Sequence, residues 1–210
     1  MDRSIQFSQL DDINSEDCSI ALDIYEEAFP PEERVRRDKV IDRIAKGVYE
    51  LWIGKDGDRV VFMTILYNLQ QSDLVLLGYI ATDAAYRNLG IGSTFLQDVL
   101  NHLKPLDRYL LIEMEHPDND DGMARRRLEF YRRIGAKLLE NVRYILPPLS
   151  GDRPTEMLLA IAPGYRTETL DRLRVRHLLT QLYVEAYDRS IEDPLLHLCL
   201  SSVPETVRLV

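Results

Sequence analysis

Residues 86–95 read YRNLGIGSTF, which sets the guanidinium of Arg87 three positions ahead of Gly90, with Gly92 two further on. The apolar run Leu74 to Ala81 precedes this segment, and Phe95, Leu96, Val99, Leu100 and Leu103 follow it at helical spacing until Pro105. The pattern predicts a strand, a glycine turn and a helix. At a helix N-terminus the first backbone N–H groups lack intrahelical partners and the macrodipole is positive, so an anion is stabilised there. Gly90 and Gly92 let a phosphate approach the backbone with no Cβ in the way and permit dihedrals closed to other residues. Arg87 adds compensating charge. The dinucleotide fingerprint requires a third glycine where Phe95 stands, and the Walker motif requires Gly-Lys-Ser/Thr, which is absent. What remains is Arg-x-x-Gly-x-Gly, a cradle for a phosphate and most naturally for a pyrophosphate.

Proton-transfer chemistry is available further along. Tyr131 lies in FYRRIGA, residues 130–136. A phenol with a pKa of about 10 stays protonated at neutral pH and can donate a proton. Phe130 and Tyr131 also suit the apolar face of an amphipathic helix. In LLIEMEH the alternation puts Glu113 and Glu115 on one face of a strand, as bases or as ion-pair partners. Glu32 and Glu33 follow the double proline in FPPEER, where acids at a helix start are ordinarily dipole partners.

The segment IATDAAYRNLGIGSTFLQDVL resembles the acetyl-CoA motif of the Gcn5-related N-acetyltransferase superfamily, Arg/Gln-x-x-Gly-x-Gly/Ala between a central strand and a helix. The strand Tyr109 to Met114, the polar loop with Pro117 and Asn119, and FYRRIGA resemble that family's later motif, a Tyr near a helix end followed shortly by Gly and a further strand. The resemblance implies an α/β fold with a central, mixed and mostly antiparallel sheet flanked by helices. It implies transfer of an acetyl group from acetyl-CoA directly to a primary amine, without a covalent enzyme intermediate or a metal. In the family the central strand splays from its neighbour, and pantetheine lies in the gap like an added strand. Carried onto this chain, the backbone N–H of Ile80 becomes the oxyanion donor. Ile80, Ala81 and Thr82 hold pantetheine. Arg87, Asn88, Leu89, Gly90, Ile91, Gly92, Ser93 and Thr94 surround the pyrophosphate. Tyr131 is the general acid. The resemblance also points to Asn119 as a cofactor contact, and this residue equally suits a helix cap.

Two departures stand out. Some members carry a glutamate on the central strand, whereas Leu74 to Ile80 contains no acid; Glu113 is the expected base, because its strand borders the splayed gap. Ala136 stands where an aromatic commonly follows the glycine. The arginines at 125–127, with Arg132 and Arg133, suit a 3′-phosphate or, more commonly, a solvated helix face. A non-catalytic acyl-CoA sensor or interaction module is the alternative of a different class.

These groups need a scaffold. Ile5 to Gln9 reads as a short strand, and Asn14, Ser15, Glu16 and Asp17 as the capped start of a helix running to about Ala28. Pro31 opens a second helix, with Val35, Ile41 and Ile44 at roughly helical spacing up to Gly47. YELWIG and RVVFMTILYN flank an Asp56-Gly57 hairpin signal, and EMLLAIAP at 156–163 is the last strand. Residues 1–165 are expected to form the acetyltransferase domain. Residues 166–210 form a helical extension, with Leu170, Leu173, Leu178, Leu182 and Ala186 as its stripe and DPLLHLCL as a shorter second helix. Packing on the sheet, covering the acceptor cleft and forming a homodimer are its three candidate uses.

Composition bounds the partners. With 210 residues, 45% hydrophobic and 29% charged, the chain is long and apolar enough for a full core. A net charge of -9 argues against broad attraction to nucleic acid or to an anionic membrane; the resemblance implies an amine-bearing small molecule or a protein or peptide as the acceptor. Cys18 and Cys199 are far apart and the four histidines lack ligand spacing, so neither a disulfide framework nor a zinc site is expected. The polar, acidic N-terminus and the lack of a long apolar run lead to an expected cytoplasmic address.

Overall fold

The computed structural model describes residues 4–117, 122–163, 165 and 167–210. They fall into two compact units, the first drawn from residues 1–68, 77–99 and 149–151, the second from 69–76, 100–148 and 152–210. No helix among the described residues is long and apolar enough to cross a membrane.

The first unit begins with strand β1 (Gln6–Gln9) and helix α1 (Glu16–Ala28). As expected, Ser15 caps α1, its side chain accepting from the Cys18 amide at 3.2 Å. Helix α2 (Arg37–Ala45) starts six residues later than the sequence suggested, because Pro31–Glu33 makes only a 3-10 turn. The cause lies at Val35, whose backbone is claimed by two tyrosines. Its carbonyl accepts from the Tyr25 hydroxyl at 2.8 Å and its amide donates to the Tyr79 hydroxyl at 3.0 Å, so it stays outside the helix. Arg34 fixes the same loop by donating to the carbonyls of Glu26 and Phe29 at 3.0 and 2.6 Å.

Strands β2 (Glu50–Asp56) and β3 (Arg59–Asn68) form the expected antiparallel hairpin, and β4 (Leu74–Thr82) continues the order β1-β2-β3-β4. Residues 60–67 of β3 are all buried, and the polar one, Thr64, donates its hydroxyl to the Tyr79 carbonyl at 2.7 Å. Helix α3 (Ile91–Leu103) follows β4 after a 3-10 turn at Ala84–Tyr86. Phe95 of α3 meets the rings of Phe62 and Phe7 at 5.1 and 5.2 Å, which seats the start of α3 on the sheet.

The second unit contains β5 (Tyr109–Glu115), helix α4 (Gly122–Arg133), β6 (Lys137–Leu138), β7 (Tyr144–Leu146) and β8 (Thr155–Ala162), with β8 pairing β5, β6 and β7. The β5–β8 pair is antiparallel, with Glu113 opposite Leu159. The tail supplies β9 (Thr169–Asp171), α5 (Arg172–Gln181), α6 (Pro194–Ser202) and β10 (Thr206–Arg208). Leu170 sits in β9 and Leu173 is 77% exposed, so the helical stripe expected from both begins only at Val175. The tail is stitched into this unit by its backbone. Leu138 and Val210 exchange both hydrogen bonds, at 2.7 and 3.1 Å, and the Tyr183 hydroxyl donates to the Ile145 carbonyl.

Candidate active site

The residues expected to hold the acyl donor lie together in the first unit. The end of β4 is anchored by the Asp83 amide, which donates to the Val61 carbonyl at 2.9 Å, while the Asp83 side chain accepts from Ala85 N–H and pairs with Arg59 at 3.0 Å. Beyond this anchor Asn88 and Gly90 both take left-handed conformations, with φ of 65° and 78°. Asn tolerates that region better than most residues, and Gly occupies it without strain. Two such residues two positions apart turn the chain sharply enough to start α3 at once. The Thr94 amide donates to the Gly90 carbonyl at 3.0 Å, closing the first turn. The amides of Ile91, Gly92 and Ser93 therefore precede the first intrahelical acceptor.

This turn fits a phosphate. A Cβ built on Gly90 would meet no atom within 4 Å, Asn88, Leu89, Gly90, Ser93 and Thr94 are exposed, and the first amides of α3, at its positive end, adjoin them. Arg87 is placed differently from the simple expectation of a cation facing an anion. Its Nε donates to the Thr82 carbonyl at 3.2 Å and its Nη2 pairs with Glu27 of α1 at 3.1 Å. Arg87 thus ties the end of β4 to the turn, and Glu27 holds the charge. Along β4, Ile80 and Thr82 are half-buried and Ala81 is buried.

The expected proton-transfer residues lie in the second unit. Tyr131 is buried in α4 and its pKa is pushed up to about 12 by loss of water contact, Arg127 lowering it and Glu115 raising it. Glu115 is an ion-pair partner, bound to Arg127 at 2.8 Å. Glu113 is different. One carboxylate oxygen accepts from the hydroxyl of Tyr144, the other from that of Tyr187. Burial raises its pKa above the ordinary carboxylate value, and the two phenols pull it back only in part. Alternation puts Glu113 and Glu115 on one face of β5, yet each has its own partners.

Asn119 lies outside the described residues. Arg132 pairs with Glu129 at 3.3 Å while Arg125, Arg126 and Arg133 are exposed, the pattern of a solvated face. Tyr144 and Tyr187 were not found from sequence. They stand 31 and 74 positions from Glu113, and no local spacing marks such a pairing.

The comparisons agree with this architecture. A GNAT-family protein from Bacteroides thetaiotaomicron superimposes with a TM-score of 0.73 at 26% identity, covering 88% of this chain and 99% of its own. A GNAT acetyltransferase from Elizabethkingia anophelis, solved with acetyl-CoA bound, matches at a TM-score of 0.54 and 18% identity over 77% of this chain and 99% of its own. The ribosomal-protein-S18-alanine N-acetyltransferase of Escherichia coli matches at 0.55 and 18% over 80% and 99%. No curated protein matches the sequence. The model of the acetyltransferase (GNAT) family matches residues 18–136, more than half of the 210, and with the fold this establishes that the chain belongs to the GNAT acetyltransferase family.

Proposed function

We propose that this protein moves an acetyl group from acetyl-CoA directly to a primary amine within a ternary complex. The observation that carries the reading is the double left-handed turn at Asn88 and Gly90, which opens α3 toward an anion. Residues 87–94 hold the pyrophosphate, and Ile80, Ala81 and Thr82 hold the pantetheine arm through their main chain. Acetyl-CoA brings the thioester.

This chain's residues then handle the protons. The Ile80 N–H is the donor to the thioester oxygen. Glu113 takes the proton of the amine as the N–C bond forms and the C–S bond breaks, and Tyr131 donates to the departing sulfur. A carboxylate raised above its ordinary range is better matched to that task near neutrality than a solvated one. The E. coli neighbour, an enzyme acting on an alanine amine, supports an amine acceptor, which is a small molecule, a peptide or a protein. Thiol release from acetyl-CoA, measured with a panel of polyamines, aminoglycosides and peptide N-termini, tests this. Enzyme-dependent release with an amine is expected; binding of acetyl-CoA with no release for any amine would instead favour a sensor.

The Arg87–Glu27 pair adds a smaller prediction. Glu27→Gln removes the anion that holds Arg87, so calorimetric affinity for CoA should rise by about threefold, the scale of an exposed ion pair. Weaker binding would mean that Glu27 holds Arg87 in its binding pose.

A further inference from the structure

Helix α5 does not end regularly. Leu182–Ala186 forms a π turn, in which the Tyr187 amide donates to the Leu182 carbonyl at 3.1 Å, five residues back. One added residue per turn rotates the downstream side chains by roughly 100° about the helix axis. Asp188 comes next in a left-handed conformation, with φ of 58°. The irregular segment delivers the half-buried Tyr187 to one oxygen of Glu113, while fully buried Tyr144, on β7, donates to the other.

The choice of partners is informative. Glu113 is met by Tyr144 from β7 and Tyr187 from the tail, and Glu115, on the same strand face, by Arg127 and Tyr131 from α4. The guanidinium of Arg127 is engaged by Glu115 at 2.8 Å and leaves Glu113 to the phenols. A cation beside a carboxylate lowers its basicity by about 1–3 pKa units. Two neutral donors fix its plane while neutralising nothing. A carboxylate offers about four lone-pair sites, so two remain after both phenols are bound.

We propose that Tyr187 and Tyr144 are positioning residues for Glu113, fixing its remaining lone pairs for the acceptor amine, so that the C-terminal extension is part of the catalytic apparatus. This rests on the reading of Glu113 as the base. Hydrogen bonds to the charged form favour it, so removing one raises the pKa of Glu113 further, and the base is then deprotonated only at higher pH. Tyr187→Phe and Tyr144→Phe keep the rings and remove one donor each. In each, the rising limb of kcat/KM against pH should move up by about one pH unit, with plateau kcat lowered severalfold and KM for acetyl-CoA unchanged.

Thermal melting confirms folding, and either variant alone suffices because each removes one of the two donors. Wild-type profiles and plateaus in the folded Phe variants, with Glu113→Gln inactive, would overturn the positioning role and keep the base. A Glu113→Gln enzyme with wild-type rate and profile would overturn both.

Discussion

Tyr131→Phe is expected to lower kcat by about a hundredfold while leaving acetyl-CoA affinity within about twofold of wild type. The magnitude follows from the environment of the phenol. Burial pushes its pKa up to about 12, so it stays protonated throughout the neutral range, as a donor must. The same shift limits what it can do. A thiol resembling cysteine has a pKa of about 8.5, so full transfer from a phenol at about 12 to a free thiolate is uphill by about 5 kcal/mol. The larger part of the effect is then a hydrogen bond that strengthens as charge develops on sulfur, which places the loss at the low end of the general-acid range of about 10²–10⁴.

The pH profile follows from the two proposed roles. The descending limb due to Tyr131 lies near pH 12, so kcat/KM should show no fall below about pH 10. With Glu113 as the proposed base, the rising limb should lie above the usual carboxylate range. Steady-state kinetics with equal losses in kcat and in acetyl-CoA affinity would reassign Tyr131 to packing.

Local chemistry explains which parts of the fold were legible. Ser15 ahead of Glu16 and Asp17, the hairpin around Gly57 and the apolar run of β4 are each set by neighbours in sequence, and each forms where its pattern pointed. Helix α2 was misplaced because its start depends on Tyr79, 44 positions from Val35, and no local rule contains that contact. Strands β6, β7, β9 and β10 span two or three residues each and carry too few positions for alternation to register. The glycine turn that opens α3 could be read from spacing because helix-start physics is local. The partners of Glu113 could not, since a carboxylate clamped by two distant phenols is a product of the tertiary fold.

Gly90→Glu should weaken acetyl-CoA binding by more than about a hundredfold without unfolding the protein. The backbone has φ of 78° there, so any side chain meets strain of about 1–2 kcal/mol, but a Cβ meets no atom within 4 Å and the chain can absorb it. The ligand cannot. A carboxylate about 5 Å from one phosphate charge at an effective dielectric near 20 is repelled by about 3 kcal/mol, and that alone corresponds to about a hundredfold in affinity.

Gly90→Asn isolates the backbone contribution, because Asn tolerates the left-handed region and carries no charge; its affinity should fall by less than about tenfold. Charge is the difference between the two. Raising salt should therefore restore part of the binding of Gly90→Glu and none of what Gly90→Asn loses to shape. Calorimetric titration with acetyl-CoA, CoA and desulfo-CoA across these variants makes the comparison directly. Should folded Gly90→Glu bind as tightly as wild type, the turn at the head of α3 is only structural and the pyrophosphate must be held by other residues.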